Sequence, residues 1–210
     1  MILVLIADDH AILRQGLRQI LADAEDMTVV AEAANGVEVM QMIRSDYRFD
    51  VVLLDIAMPG RSGIEVLKQI KDEKPNLPVL VLSMHPEDQY AVRLLKAGAA
   101  GYLTKESAPE LLVQAIRKVA AGKKYITPSV AELLADRLDS GNGPQHASLS
   151  DREFHILLQI AAGKTVSEIA AALSLSVKTV STYRARVLDK MQMKNNAELT
   201  HYAIRNQLVD

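Results

Sequence analysis

The sequence predicts an α/β protein: a doubly wound, five-stranded parallel sheet followed by a second, smaller all-α unit. Three observations predict it. Between residues 1 and 120 five short aliphatic runs alternate with five amphipathic segments, several of those runs are apolar at every position, and beyond residue 122 the strand-like runs cease. A strand that is apolar throughout must be covered on both faces, which is the condition of a parallel sheet. Each parallel connection then needs a crossover, and a helix supplies it.

The strand-like runs are ILVLIA (2–7), TVVAEA (28–33), VVLLD (51–55), VLVLS (79–83) and GYLT (101–104). Between them, apolar residues recur at helical spacing: Leu13, Leu17, Ile20 and Leu21; Val39, Met40 and Ile43; Ile64, Leu67 and Ile70; Val92 and Leu95; and, after the last strand, Leu111, Ala115, Ile116 and Val119. Asn35-Gly36, Pro59-Gly60, Pro75 to Pro78 and Gly98 punctuate the joints. After Gly122 the pattern decays into a short helical stretch, SVAELLADRL, and then SGNGPQHAS, whose composition marks a mobile linker. Residues 1–122 are expected as one domain, 123–148 as linker and 149–210 as a second domain. In the latter, Ser150 with Glu153 and Thr165 with Glu168 form two capping boxes, Ser176 precedes VKTVSTYRARVLDKM, and Asn196 is expected to cap AELTHYAIRNQL. Four short helices result.

Composition narrows the classes of function. The chain of 210 residues suits two domains, and although 49% of it is hydrophobic, no apolar run nears the ~20 residues of a membrane span. MILVLIADDH meets two aspartates too early for a signal sequence and reads as a first strand. The absence of cysteine excludes disulfides, thiolate catalysis and cysteine-bound zinc, and a cytoplasmic location is expected. The net charge of −2 hides an asymmetry: residues 149–210 hold eight Lys/Arg against six Asp/Glu, so the excess of acid lies before them. Within 176–194, Lys178, Arg184, Arg186, Lys190 and Lys194 face Asp189 alone.

Ligands of a doubly wound sheet bind outside the carboxyl ends of the strands, where the strand order reverses. Here the first strand runs into Asp8-Asp9, the third ends in Asp55, the fourth in Ser83, and Lys105 follows the fifth. If the first, third and fourth strands are neighbours, three carboxylates meet at one rim. They cannot all stay ionised without a counter-ion, and a hard divalent cation, Mg²⁺ first, is the usual remedy. With such an ion and the Lys105 ammonium neutralising a transferring phosphoryl group, Asp55 can attack as nucleophile. Singly, these residues have ordinary readings: an aspartate after a strand commonly forms a turn or caps a helix, Ser83 can satisfy a strand-end carbonyl, and Tyr102 can simply pack. Their convergence on one edge favours chemistry. The five histidines show no H-x-x-x-H metal spacing, though His10 directly follows the acidic pair.

ADDH, DIAMPGRSG, LSMH and KAGAAGYLTK together resemble a response-regulator receiver domain over residues 1 to 120. The resemblance implies that Asp55 is the phosphoacceptor, that Asp9 directly and Asp8 more loosely hold Mg²⁺, and that Ala57 contributes its carbonyl. It implies further that Ser83 bonds a phosphoryl oxygen, that Lys105 pairs with it, and that Tyr102 swings inward as the Ser83 hydroxyl moves.

In the second unit, Val177, Val180, Val187, Leu188 and Met191 share one face of a helix, and Lys178, Thr182, Ala185 and Arg186 the other. Small residues permit close approach to a major groove and cations meet phosphates, although a solvated amphipathic helix has the same pattern. The segment LSDREFHILLQIAAGKTVSEIAAALSLSVKTVSTYRARVLDKM resembles the LuxR-type helix-turn-helix. That resemblance implies a recognition helix over 177–191, with Lys178, Thr179, Arg184 and Arg186 on phosphates and Ser181, Thr182 and Ala185 on base edges. Two residues depart from the family pattern: Gln192 stands where glycine or asparagine is common, and Asn196 where arginine often stands. Leu199, Tyr202, Ala203 and Leu208 fall on the element through which such modules pair.

The expected function is a two-component response regulator of the NarL/LuxR type, not an enzyme, with a sensor histidine kinase, double-stranded DNA and a second copy of itself on activation as partners, and no membrane. A phosphatase with an aspartate nucleophile is the competing class, but it needs D-x-D, and Ile56 and Ala57 follow Asp55. A flavin or nucleotide binder needs a phosphate-cradling loop where Asp8-Asp9 would repel the phosphate. A constitutive DNA binder with an inert first domain has no use for the acidic set.

Overall fold

The computed structural model describes residues 1–58, 63–84, 87–139, 144–173, 175–206 and 208–209. The expected Pro59-Gly60 joint, His85, Ser174 and the stretch SGNG lie outside them. In the first unit β1 (Ile2–Ala7), α1 (Ala11–Ala22), β2 (Met27–Ala33), α2 (Gly36–Arg44), β3 (Val51–Asp55), α3 (Gly63–Glu73), β4 (Val79–Ser83), α4 (Glu87–Lys96), β5 (Gly101–Thr104) and α5 (Pro109–Ala120) alternate, and α6 (Pro128–Asp139) follows. The five strands form one parallel sheet in the order β2-β1-β3-β4-β5. Strand order therefore reverses at β1, which has β2 on one side and β3 on the other.

Every residue of β3 and β4 is buried, as two-sided coverage requires. Leu17 and Leu21 of α1, Val39, Met40 and Ile43 of α2, and Ile64, Leu67 and Ile70 of α3 are buried on the expected faces. Two faces are rotated from expectation. In α5 the buried set is Leu112, Ala115, Ile116 and Val119, which follows the i, i+3, i+4, i+7 rule, so Leu111 lies one step round the helix and is 43% exposed. In α4, Tyr90, Ala91 and Leu94 are buried with Val92, while Leu95 is only half-buried.

Two glycines are set by close approach. A Cβ at Gly63 would stand 2.3 Å from the Ile56 Cα, so only glycine lets α3 begin against the backbone that leaves β3. At Gly101 a Cβ would meet the Tyr125 carbonyl oxygen at 2.8 Å, because residues after α5 run back along the sheet edge and bridge there, Tyr125 N–H donating to the Ala100 carbonyl at 2.8 Å.

Compact packing divides the chain between Leu134 and Ala135, within α6. The second unit contains α7 (Asp151–Ala161), α8 (Val166–Ala172), α9 (Val177–Lys190) and α10 (Asn196–Arg205). α7 packs on α9 and α10, and α8 on α9. Both capping boxes form, and the Ser176 side chain accepts the Thr179 N–H at 3.0 Å. The cap of α10 is Asn195, one residue earlier than expected, its Oδ1 accepting the Glu198 N–H at 3.0 Å; Asn196 is the first helical residue. Val177, expected on the apolar face, opens α9 and is 51% exposed. The end of the expected linker is ordered: Gln145–Ser148 form a 3-10 turn, His146 is buried against Phe154 and Tyr202, and Gln145 Nε2 donates to the Met191 carbonyl at 2.7 Å.

Gln192 explains its own oddity. It is the one non-glycine residue with positive φ, 51°, among the described residues, and its N–H and that of Met193 close on the Asp189 and Leu188 carbonyls in a Schellman end to α9. A left-handed conformation costs a residue with a Cβ about 1–2 kcal/mol. Gln192→Gly is therefore expected to stabilise the second unit by roughly 1 kcal/mol in urea denaturation of the full chain; a neutral or destabilising result contradicts the assignment.

Glu153 is buried and its Oε2 accepts both from the Ser150 N–H and from Lys190 Nζ, each at 2.7 Å. Burial pushes its carboxyl up, but Lys190 and Ser150 outweigh that and hold it below the ordinary 4.5. A depressed folded-state value means that this stability is present above pH 4.5 and is lost as pH falls through the folded value. Glu153→Gln should cost roughly 1–2 kcal/mol at neutral pH and flatten the acid limb of stability against pH. An unchanged acid limb would count against the pairing.

Candidate functional site

Parallel register builds the rim. Ala7 pairs with Leu54, Asp55 with Leu82 and Ser83 with Thr104, so the residues at and just beyond these strand ends lie side by side. The Asp8 N–H donates to the Ala33 carbonyl at 3.0 Å and the Lys105 N–H to the Ser83 carbonyl at 2.8 Å, which extends the sheet by one residue at both places. Asp8, Asp9, His10 and Asp55 offer ligand atoms that all lie within 4.8 Å of one another. The condition set by the sequence, that strands one, three and four be neighbours, is met.

Asp8 and Asp55 are each 1% exposed, and the Lys105 ammonium bridges them, 2.6 Å from Asp8 Oδ2 and 2.7 Å from Asp55 Oδ2. The other Asp55 oxygen, Oδ1, accepts the Ala57 N–H at 2.9 Å. Burial raises the Asp55 pKa above 3.8, against the opposing pull of Lys105 and the Ala57 N–H and with help from Asp8 nearby. Burial alone would lower Lys105, but its hydrogen bond to Asp55 and the adjoining Asp8 carboxylate raise it, so it stays an ammonium. Ser83 is fully buried at the end of β4, and Tyr102, in β5, is buried too.

The donor set fits a hard cation. Three carboxylates face one ammonium, and Asp8 Oδ2 and Asp9 Oδ1 are buried oxygens with no hydrogen bond aimed at them, although Lys105 and His10 stand at ion-pair distance. The remaining negative charge and open oxygen lone pairs suit a divalent ion such as Mg²⁺.

Sequence reasoning missed Arg14. Its Nη1 donates to the Asp8 carbonyl at 2.7 Å and its Nε to Glu32 at 3.1 Å, tying the start of α1 and the end of β2 to the acidic turn. The available cue was a cation in the first turn of a helix, where the macrodipole disfavours it unless something else holds it. His10 is also part of the cluster: its N–H donates to Asp8 Oδ1 at 2.8 Å and its Nδ1 lies 3.0 Å from Asp9 Oδ1.

The second candidate surface is α9. Lys178, Ser181, Thr182, Ala185 and Arg186 are exposed along it, with Thr179 and Arg184 half-buried. The Thr179 hydroxyl lies 2.7 Å from Ser176 Oγ, Thr182 Oγ1 donates to the Lys178 carbonyl at 3.0 Å, and the Arg186 guanidinium sits 5.8 Å over the Tyr183 ring. Lys178, Arg184 and Arg186 form no salt bridge among the described residues. One exposed helix face thus carries unneutralised cations and small polar side chains.

Comparison with known proteins is consistent with both halves. Residues 4–117 match the family model of the response regulator receiver domain, and residues 147–203 that of the bacterial regulatory proteins of the luxR family. The response regulator GacA of Pseudomonas aeruginosa is 42% identical over 214 aligned residues, covering 100% of this chain and 99% of that protein. The response regulator UvrY of Escherichia coli is 40% identical over 214, covering 99% and 96%. Among solved structures, RcsB from Salmonella enterica serovar Typhimurium, bound to promoter rprA in the presence of a BeF3- phosphomimetic, superposes with a TM-score of 0.67 at 29% identity, covering 96% of this chain and 97% of that one. The response regulator ChrA of a heme-sensing two-component system gives 0.52 at 32% identity, over 99% and 98%. With an acidic rim on a five-stranded parallel sheet ahead of a helix-turn-helix, this chain belongs to the two-component response regulators of the NarL/LuxR type, a receiver domain joined to a LuxR-type DNA-binding module.

Proposed function

We propose that Asp55 accepts a phosphoryl group from a sensor histidine kinase and that this controls binding of promoter DNA by α9. The observation that carries the reading is the buried Asp55 carboxylate held by Lys105 and the Ala57 N–H beside two further acids. An Asp55 oxygen attacks phosphorus, the P–N bond of the donor phosphohistidine breaks, and the imidazole nitrogen keeps the electron pair and takes a proton. Asp8, Asp9, Asp55 and the Ala57 carbonyl would hold Mg²⁺. When bound, that ion supplies charge neutralisation on the phosphoryl oxygens. Lys105 is already placed to follow a phosphoryl oxygen as charge moves outward from Asp55, and Ser83, at the end of the neighbouring strand, donates its hydroxyl to another. That shift of Ser83 reaches Tyr102 through the paired ends of β4 and β5, where Val81 lies beside Tyr102.

On the output side, Lys178, Thr179, Arg184 and Arg186 contact phosphates of double-stranded DNA, and Ser181, Thr182 and Ala185 face base edges. Phosphorylation favours a homodimer whose two modules read paired half-sites. The protein acts in the cytoplasm, and among the described residues no helix is long and apolar enough to cross a membrane.

Incubation with acetyl phosphate and Mg²⁺, followed by intact-mass measurement, is expected to add one phosphoryl group to the native chain and none to Asp55→Ala. Equal labelling of the variant would contradict the assignment of Asp55.

A further inference from the structure

Asn196 occupies a position where the LuxR-type modules often carry arginine, and the structure gives it a partner: its Oδ1 accepts the Nε–H of Arg184 at 2.6 Å. Arg184 lies on α9 and Asn196 is the first residue of α10, so the bond ties the recognition helix to the N-terminus of the next helix. Both side chains are half-buried. The acid of the same helix turn is engaged elsewhere: Glu198 accepts from the Lys194 N–H at 2.9 Å and from Asn195 Nδ2 at 3.1 Å. Arg184 therefore has an acceptor for one N–H and no counter-charge among the described residues.

An arginine on an exposed helix is flexible, and ordering it costs part of whatever it gains from a phosphate. A carboxylate partner would order it but would also cancel the charge that draws the phosphate. A neutral amide does the first without the second. We infer that Asn196 is a positioning residue for DNA binding, holding the Arg184 guanidinium by Nε so that its terminal nitrogens meet a backbone phosphate with full charge. This rests on the reading that α9 is the DNA-contacting helix and names how one of its cations is prepared.

The consequence separates folding from binding. Aspartate at 196 keeps the acceptor, adds an ion pair to Arg184, and places a negative charge in the first turn of α10, where the helix dipole favours it. A merely structural role for Asn196 would thus be served at least as well by aspartate. The test measures binding of the full chain to a fluorescein-labelled duplex of mixed sequence across a salt series, with thermal unfolding alongside, for Asn196→Asp, Asn196→Ala, Arg184→Ala, Lys178→Ala and the double variant of Asn196→Ala with Arg184→Ala. Asn196→Asp is expected to unfold no earlier than the native chain yet to bind about three- to tenfold more weakly, with the salt slope reduced by about one phosphate contact, as in Arg184→Ala. Asn196→Ala should weaken binding by about two- to threefold with the slope retained, and should have no further effect once Arg184 is alanine. If Lys178→Ala lowers the slope while Asn196→Asp binds like the native chain, the positioning role is overturned and the DNA-contacting helix stands. If none of the variants alters affinity or slope, that helix assignment fails and takes this inference with it.

Discussion

Lys105 sits between two carboxylates that the sheet buries, 2.6 Å from Asp8 and 2.7 Å from Asp55, and the receiver's chemistry depends on that arrangement. Burying an acid is costly, and burying two side by side is tolerable only with a counter-charge between them. The parallel register forces the problem, because Ala7 opposite Leu54 brings the next residues of both strands to the same rim. It also supplies the remedy: Ser83 opposite Thr104, and the Lys105 N–H on the Ser83 carbonyl, fix the backbone from which the ammonium reaches across. On the proposed function, a phosphoryl group on Asp55 would redistribute charge where the cation is confined, and the local event would be passed to the strand ends rather than dispersed in water.

The C-terminal unit solves the opposite electrostatic problem. For the proposed binding of DNA its cations on α9 must stay available, and the helix is held by means that do not neutralise them: a hydroxyl cap at Ser176, packing on α7, and a neutral acceptor at Asn196 for Arg184. Among the described residues, the one ion pair that anchors α9 to α7, Lys190 with Glu153, lies in its last turn, far along the helix from Lys178. Acids gathered round one lysine in the first unit and lysine and arginines left without acids in the second are two uses of the same rule, that charge acts where it is not already paired.

Much of this was legible in the sequence because burial on both faces writes itself as uninterrupted aliphatic runs, and all five strands lie where those runs are. The helix faces of α4 and α5 were less legible: Leu95 and Leu111 adjoin the buried Leu94 and Leu112, and a shift of one residue turns a helix by about 100° without changing its composition. Capping by Asn195 instead of Asn196 was ambiguous for the same reason, two asparagines in a row. The residue types at the acidic rim could be read, since Asp8, Asp9, Asp55 and Lys105 each end or follow a strand. The double bridge of Lys105, the tie of Arg14 to the Asp8 carbonyl and the Arg184–Asn196 bond could not, because each joins residues whose proximity is created only by the fold.

The central claim is that the Lys105 ammonium is the standing counter-ion of a buried carboxylate pair that a divalent cation also serves. Thermal unfolding of Lys105→Met with and without Mg²⁺ tests it most directly. The account predicts a variant destabilised by roughly 3–5 kcal/mol without the metal, the cost of stranding buried charge, and a larger rise in its unfolding temperature on adding Mg²⁺ than the native chain shows. Unfolding at the native temperature, with the same response to Mg²⁺, would contradict it.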